Sequence, residues 1–177
     1  MMTFIGRMLR AARLDPRMYH AVGGDPTVTT QALAVVAIAA LSNGAGVGLA
    51  AVLGGSPRWG LVAVRGVLGE LLTWGAWWLV TYLVGAHLLA SRATPGMVLR
   101  ALGFAQSPGA LLVLRFIPAL GTTLNLFVDG WRIAAGFVAV RSALRLDTAR
   151  AVVALVIGVL AGILALLVWL AATAPLT

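Results

Sequence analysis

Cysteine and lysine are absent from the sequence, and only five of its 177 residues are acidic. The absence of cysteine excludes disulfides, thiol catalysis and cysteine-ligated metals. The two histidines, His20 and His87, are expected to lie far apart without carboxylates beside them, so we predict no metal site and no cofactor. The deepest carboxylates, Glu70 and Asp129, each have an arginine nearby that would keep them ionised, which suits acid catalysis poorly. With no Ser-His-Asp pattern and no phosphate loop either, the sequence predicts a protein that is not an enzyme.

Long apolar runs fill most of the chain. Hydrophobic residues make up 61% of the sequence, and the mean hydropathy of +1.00 excludes the soluble globular class. Each run reaches the roughly 20 residues that about 30 Å of hydrocarbon requires. We therefore predict an all-α polytopic membrane protein, with a cytosolic lead-in at 1–26 and a membrane domain at 27–177. The predicted spans are at about 27–53, 61–89, 98–120, 121–140 and 150–172.

Arginines interrupt the first twenty residues, which is not typical of a cleaved signal peptide. On a helix, Arg7, Arg10 and Arg13 share one stripe opposite an apolar face, and Arg17 follows. A short amphipathic helix of this kind suits contact with anionic lipid headgroups at the cytosolic face. The alternative is a short helix packed on the protein's own cytosolic surface.

The arginines also set the expected orientation. With the amino terminus inside, nine arginines fall on the cytosolic side and three fall on or near the other side. This asymmetry predicts a multi-pass protein of the cell membrane with a cytosolic amino terminus and an external carboxyl terminus. The net charge of +8 thus indicates topology and anionic lipid as a partner, and not nucleic acid.

Several polar residues lie inside the spans, where a charge costs on the order of 3 kcal/mol and is usually paired or in a wet cavity. At 1.5 Å per residue, Glu70 and Asp129 are expected at nearly one depth, with Arg132 about a turn deeper. We predict that Glu70 pairs with Arg132, and Asp129 with Arg132 or an outer arginine. The predicted polar cluster lies between the second, third and fourth spans and consists of Arg65, Glu70, Arg115, Asn125, Asp129 and Arg132.

Two interpretations of this cluster remain open. It can be a buried ion-pair network that fixes helix register, or it can line a polar site that admits an ion, a proton or a lipid headgroup. Three arginines against two carboxylates leave one positive charge in surplus. If the site is wet, an anion or a phosphate headgroup is therefore a better guest than a cation.

Small-residue patterns recur in two spans, at Gly44-xxx-Gly48 and Gly158-xxx-Gly162. Such patterns let helices approach closely. We expect internal packing, with association into a homo-oligomer as the alternative.

The chain resembles a bacterial member of the Yip family, five-span membrane proteins named for interaction with Ypt/Rab GTPases. The resemblance covers nearly the whole length. It is carried by Pro16-Arg17-Met18-Tyr19 before the first span and by a Gly-aromatic-x-x-x-Pro element in the third. That element is formed by Gly103, Phe104, Ala105, Gln106, Ser107 and Pro108.

Gly103 and Pro108 are expected to weaken the third helix on either side of Gln106 and Ser107. The resulting break is either a packing kink or the border of the polar site that contains Arg115.

The resemblance implies a scaffold or trafficking-type membrane protein, and in eukaryotic relatives contacts with Rab GTPases. The Asp-Leu-Tyr-Gly-Pro motif of those relatives is absent, so nothing in the sequence supports GTPase binding. We predict a membrane-organising or trafficking-type adaptor, with a membrane protein or a second copy of the chain as its partner. The alternative hypotheses are a small transporter, channel or lipid-moving protein that uses the polar cluster, and an accessory subunit of a larger assembly.

Overall fold

The computed structural model describes residues 3–174, and every regular element in this range is helical. The prediction of an all-α fold is therefore confirmed. A 3₁₀ turn at Pro26–Val28 leads into α3, a π-helical stretch at Val84–Leu88 extends α4, and a 3₁₀ segment at Ser107–Phe116 follows α5. The α-helices are α1 (Phe4–Ala12), α2 (Pro16–Gly24), α3 (Thr29–Leu53), α4 (Trp59–Leu83), α5 (Pro95–Phe104), α6 (Gly121–Leu144) and α7 (Thr148–Thr173).

The long helices are apolar enough to cross a bilayer. Four candidate spans, at Pro26–Leu53, Trp59–Leu88, Gly121–Leu144 and Thr148–Thr173, meet the requirements of length and composition. A fifth crossing results if α5 and the 3₁₀ segment, bent by 44° at their junction, are counted as one span. The apolar helices thus indicate a membrane-spanning protein.

The bend in the third predicted span occurs where the glycine and proline pattern placed it. The α-helix ends at Phe104, and the 3₁₀ segment begins at Ser107 with Pro108 in its first turn. Proline lacks an N–H donor and cannot continue the α-helical ladder. The Ser107 hydroxyl donates to the Phe104 carbonyl at 2.6 Å and so satisfies one carbonyl at the break.

Two Asp-Pro pairs begin helices. Asp15 accepts from the Arg17 N–H at 3.0 Å and starts α2, which runs to Gly24. Asp25 accepts from the hydroxyl and the N–H of Thr27 at 2.6 and 3.0 Å. These hydrogen bonds lower the pKa of Asp25, because they stabilise the ionised carboxylate.

The bundle has two distinct ends. The amino-terminal end carries α1, α2 and the connections 89–94 and 145–147, which are joined where Ser91 Oγ donates to the Leu144 carbonyl at 2.8 Å. The opposite end carries the connections 54–58 and 117–120.

Helix α1 packs on the amino-terminal end of the bundle. The Tyr19 hydroxyl donates to the Ala11 carbonyl at 2.9 Å, and the Trp131 indole donates to the Ala12 carbonyl at 2.7 Å. Arg7 was grouped with the membrane-surface arginines, but its Nη1 donates to Gln31 Oε1 at 2.6 Å. Arg7 therefore ties α1 to α3, and contact of the four arginines with the membrane surface stays a prediction. The other three arginines of that group are exposed: Arg10, Arg13 and Arg17.

Arg100 is one of the nine arginines that the sequence assigns to the cytosolic side, and only 6% of it is exposed. Its guanidinium donates to the carbonyls of Val22 at 2.9 Å and Gly23 at 2.5 Å, and to the Thr29 hydroxyl at 3.3 Å. The last carbonyls of a helix lack partners within the helix and attract positive charge. Arg100 therefore caps α2 from α5.

Both glycine patterns are used inside the chain. In α3, a Cβ atom at Gly48 would lie 2.8 Å from the Ala63 Cβ of α4. In α7, a Cβ at Gly162 would lie 3.0 Å from the Thr73 carbonyl of α4. The glycines thus let α3 and α7 each pack closely against α4.

Candidate functional site

A cavity of about 570 Å³ lies within the bundle. Its walls come from α3, α4, the 3₁₀ segment, α6 and α7, so it extends beyond the second, third and fourth spans to which the sequence assigned it. We call it the polar cavity. All six residues of the predicted polar cluster line it: Arg65, Glu70, Arg115, Asn125, Asp129 and Arg132.

Arg132 is the centre of the polar groups on the amino-terminal side of this cavity. Its Nη2 donates to Glu70 Oε1, and its Nη1 lies 3.5 Å from Asp129 Oδ1. The side chains of Arg132 and Glu70 are only 10% and 12% exposed. The pairings that the sequence predicted are therefore present, with both carboxylates on the same arginine.

Gln106 joins this group from the break between α5 and the 3₁₀ segment. Its Oε1 accepts from Arg132 Nε at 2.6 Å and also from Arg132 Nη2. Gln106 is 1% exposed and is the only residue of the predicted break that lines the polar cavity, as far as the described residues extend. Gly103, Phe104, Ser107 and Pro108 are buried elsewhere, where they form the bend.

Arg115 is positioned by an asparagine that the sequence analysis did not select. Asn43 Oδ1 accepts from Arg115 Nη1 at 2.5 Å, and Asn43 Nδ2 donates to the Gly66 carbonyl at 3.1 Å. An amide within the apolar α3 was the available signal, since a polar side chain in a span usually has a partner. Asn43 thus joins α3, α4 and the 3₁₀ segment beside the cavity.

Arg65 and Arg115 differ from Arg132 in their partners. Within residues 3–174, neither has a carboxylate within 4.0 Å, because both carboxylates of the cavity lie with Arg132. Asp129 is also held by Asn125, whose Nδ2 donates to Asp129 Oδ2 at 2.8 Å. The positive surplus of the cluster is therefore concentrated at Arg65 and Arg115.

Unpaired buried atoms add to this asymmetry. Among the described residues, four side chains that line the cavity each have a buried nitrogen without a hydrogen-bond partner: Arg65 Nε, Trp74 Nε1, Trp77 Nε1 and Gln106 Nε2. All four nitrogens are donors and none can accept. A buried donor without a partner is costly, so the residues around this cavity carry polar groups that the fold does not satisfy.

A second cavity of about 680 Å³ adjoins the first at the opposite end of the bundle. Val47, Arg115 and Asn125 line both. The remaining wall of the second cavity comes from the ends of α3 and α6 and from the connection 117–120, including Leu53, Pro118 and Thr122. Arg115 therefore stands between the polar cavity and the end of the bundle.

Comparison of the chain with models of protein families, with curated proteins and with solved structures gives no match. Function is therefore inferred from the chemistry of the polar cavity.

Proposed function

We propose that this chain is a non-enzymatic, five-span integral membrane protein that binds an anionic, oxygen-rich group in the polar cavity. The observation that carries the proposal is the pair of arginines, Arg65 and Arg115, that line the cavity without a carboxylate partner. Guanidinium groups bind phosphate and carboxylate oxygens through several N–H donors at once.

The proposal includes the Yip-type arrangement and a cytosolic amino terminus. Five crossings follow when α5 and the 3₁₀ segment form one bent span, and the Gly-aromatic-x-x-x-Pro element falls at this bend. The amino-terminal end then carries the excess of arginine that faces the cytosol in most membrane proteins.

Binding can be tested with the headgroup alone. Glycerol phosphate is titrated against the full chain in a neutral detergent, and the midpoint of thermal unfolding is measured. A guest that binds only the folded state raises this midpoint with concentration. We expect the shift in the wild type and at least a tenfold weaker affinity in R65Q/R115Q. The matched control R92Q/R141Q removes the same charge from exposed positions at the amino-terminal end.

Two results would overturn this proposal. One is a wild type whose unfolding midpoint does not respond to glycerol phosphate. The other is an equal loss of affinity in the two double variants, which would mean that net charge and not the polar cavity attracts the anion.

A second candidate function is an adaptor that acts through α1, and exposed apolar side chains on that helix favour it. Ile5 and Leu9 are 66% and 54% exposed, although Arg7 and Trp131 hold α1 against the bundle. A fixed helix that presents apolar and basic residues together suits an anionic membrane surface.

The absence of cysteine makes α1 easy to probe, because one introduced thiol carries the only label. A polarity-sensitive dye at I5C is expected to report a less polar environment in nanodiscs containing phosphatidylglycerol than in nanodiscs of phosphatidylcholine. The same dye at H20C, an exposed position outside the predicted membrane-surface arginines, is the control. Equal spectra in the two lipids at I5C would reject contact with the anionic surface.

A further inference from the structure

Five helix–helix interfaces surround the polar cavity, and four of them are held by close contacts or hydrogen bonds. The order around the cavity is α7, α4, α3, the 3₁₀ segment and α6. The contacts at the four successive interfaces are Gly162 with Thr73, Gly48 with Ala63, Gly109 with Ala39, and Gln106 with Arg132.

At the fifth interface, between α6 and α7, a close contact lies on the amino-terminal side of the cavity. A Cβ atom at Gly136 of α6 would lie 3.4 Å from Leu155 of α7, with the Trp77 ring beside both. Nearer the opposite end, Ile133 of α6 and Ile163 of α7 line the cavity and are 41% and 47% exposed. A side chain that lines a cavity and is also exposed lies at its rim.

This rim opens on an apolar side of the bundle. The α7 helix is the most apolar of the four candidate spans, and its Leu164 and Leu167 are 63% and 58% exposed. In a spanning orientation these side chains face lipid chains, since water is absent from the hydrocarbon region. The opening between α6 and α7 therefore leads from the polar cavity to the bilayer.

We propose that the guest of the polar cavity is a lipid with an anionic phosphate headgroup, which enters sideways between α6 and α7. Its headgroup binds Arg65 and Arg115, and its hydrocarbon chain lies across Ile133 and Ile163. This inference rests on the proposed function and adds the class of ligand and its route.

Size and depth agree with a lipid. About 570 Å³ falls in the range of sites that hold small organic molecules and exceeds the need of a single inorganic anion. Arg65 is six residues from the start of α4 at Trp59, which places it about 9 Å below the opposite end at 1.5 Å per residue. A lipid of the leaflet at that end can bring its phosphate to Arg65 while its chains stay in hydrocarbon.

The test compares a whole lipid with its headgroup. Phosphatidylglycerol bound to the full chain is counted by native mass spectrometry from detergent, and glycerol phosphate is titrated by thermal unfolding. The variant I133F/I163F narrows the rim, and L167F is its control on an exposed part of α7 that does not line the cavity. We expect I133F/I163F to bind phosphatidylglycerol at least tenfold more weakly and to keep its affinity for glycerol phosphate.

The possible results separate the two proposals. Unchanged binding of phosphatidylglycerol in I133F/I163F overturns sideways entry while leaving anion binding intact. Loss of glycerol phosphate binding as well as lipid binding also overturns it, because Ile133 and Ile163 would then belong to the anion site and not to an entrance that only the lipid chain uses. No binding of either compound by the wild type rejects the proposed function itself.

A second measurement does not depend on the rim variants. Trp74 lines the cavity, so a lipid whose brominated hydrocarbon chain lies between α6 and α7 should quench the fluorescence of Trp74. We expect brominated phosphatidylglycerol to quench the difference in emission between the wild type and W74F more than brominated phosphatidylcholine does. Equal quenching by the two lipids would contradict a site that selects the anionic headgroup.

Discussion

The amino-terminal end of the bundle and the polar cavity near the opposite end differ in whether the fold satisfies the donors of their arginines. At the amino-terminal end, Arg100 is 6% exposed and donates to the Val22 and Gly23 carbonyls and to the Thr29 hydroxyl. In the polar cavity, Arg65 has a buried Nε without a partner and no carboxylate within 4.0 Å among the described residues. Both arginines lie in apolar sequence, yet only one has its donors satisfied by the fold.

This difference separates structural charges from charges that are available to a guest. A buried polar group that serves stability is normally hydrogen-bonded, as Arg100 is. A group left without a partner lowers stability and therefore calls for an explanation other than stability. Arg132 lies between the two cases, because it lines the cavity and is also paired with Glu70 and Gln106. Substitution of these three arginines by glutamine should therefore give three different results.

The largest effect is expected for R132Q. Removing this guanidinium leaves Glu70 nearly buried without its cation, and breaking a buried ion pair typically costs about 3 to 5 kcal/mol. We expect the free energy of unfolding, measured by denaturation in detergent, to fall by that amount. The double variant E70Q/R132Q removes the stranded charge and should recover most of the loss. A double variant as unstable as R132Q would show that the pairing of Glu70 with Arg132 does not limit stability.

An intermediate effect is expected for R100Q. The variant loses hydrogen bonds that satisfy the last carbonyls of α2, and hydrogen bonds to charged groups are worth about 1.5 to 3 kcal/mol each. We expect a loss on the order of 3 kcal/mol in the same assay, with no change in glycerol phosphate affinity. The control is R92Q, an exposed arginine at the same end, which should change stability by less than about 0.5 kcal/mol. Equal losses in the two variants would reject a capping role for Arg100.

Much of the fold follows from the apolar runs and the helix start signals, since length and hydropathy alone require helices of this size in a bilayer. The depth of Glu70, Asp129 and Arg132 also follows from spacing, because a regular helix rises by a constant amount per residue. The partners of Asn43 and Gln106 could not be predicted in the same way. They depend on which helices are neighbours and on how the 44° bend rotates the 3₁₀ segment, and neither is encoded in one helix's periodicity.

The role of Arg100 was missed for a related reason. A charge near the end of a predicted span is equally consistent with the membrane surface and with a cap on a neighbouring helix. Only the packing of α2 against α5 distinguishes the two, by placing Val22 and Gly23 beside the guanidinium. Arginine counts remain useful for orientation because they rest on many residues, while the role of any single arginine is decided by its contacts.

The smallest effect on stability is expected for R65Q, and it tests the comparison most directly. Arg65 Nε is buried without a partner, so its removal takes away an unsatisfied donor and breaks no ion pair. We expect the free energy of unfolding to change by less than about 0.5 kcal/mol or to rise, while the affinity for glycerol phosphate falls at least tenfold. The Trp169 indole bonds the Arg65 backbone carbonyl at 3.2 Å, a contact that the substitution leaves intact. A destabilisation comparable to that of R100Q, with unchanged affinity, would place Arg65 among the structural charges and remove the distinction between the two ends.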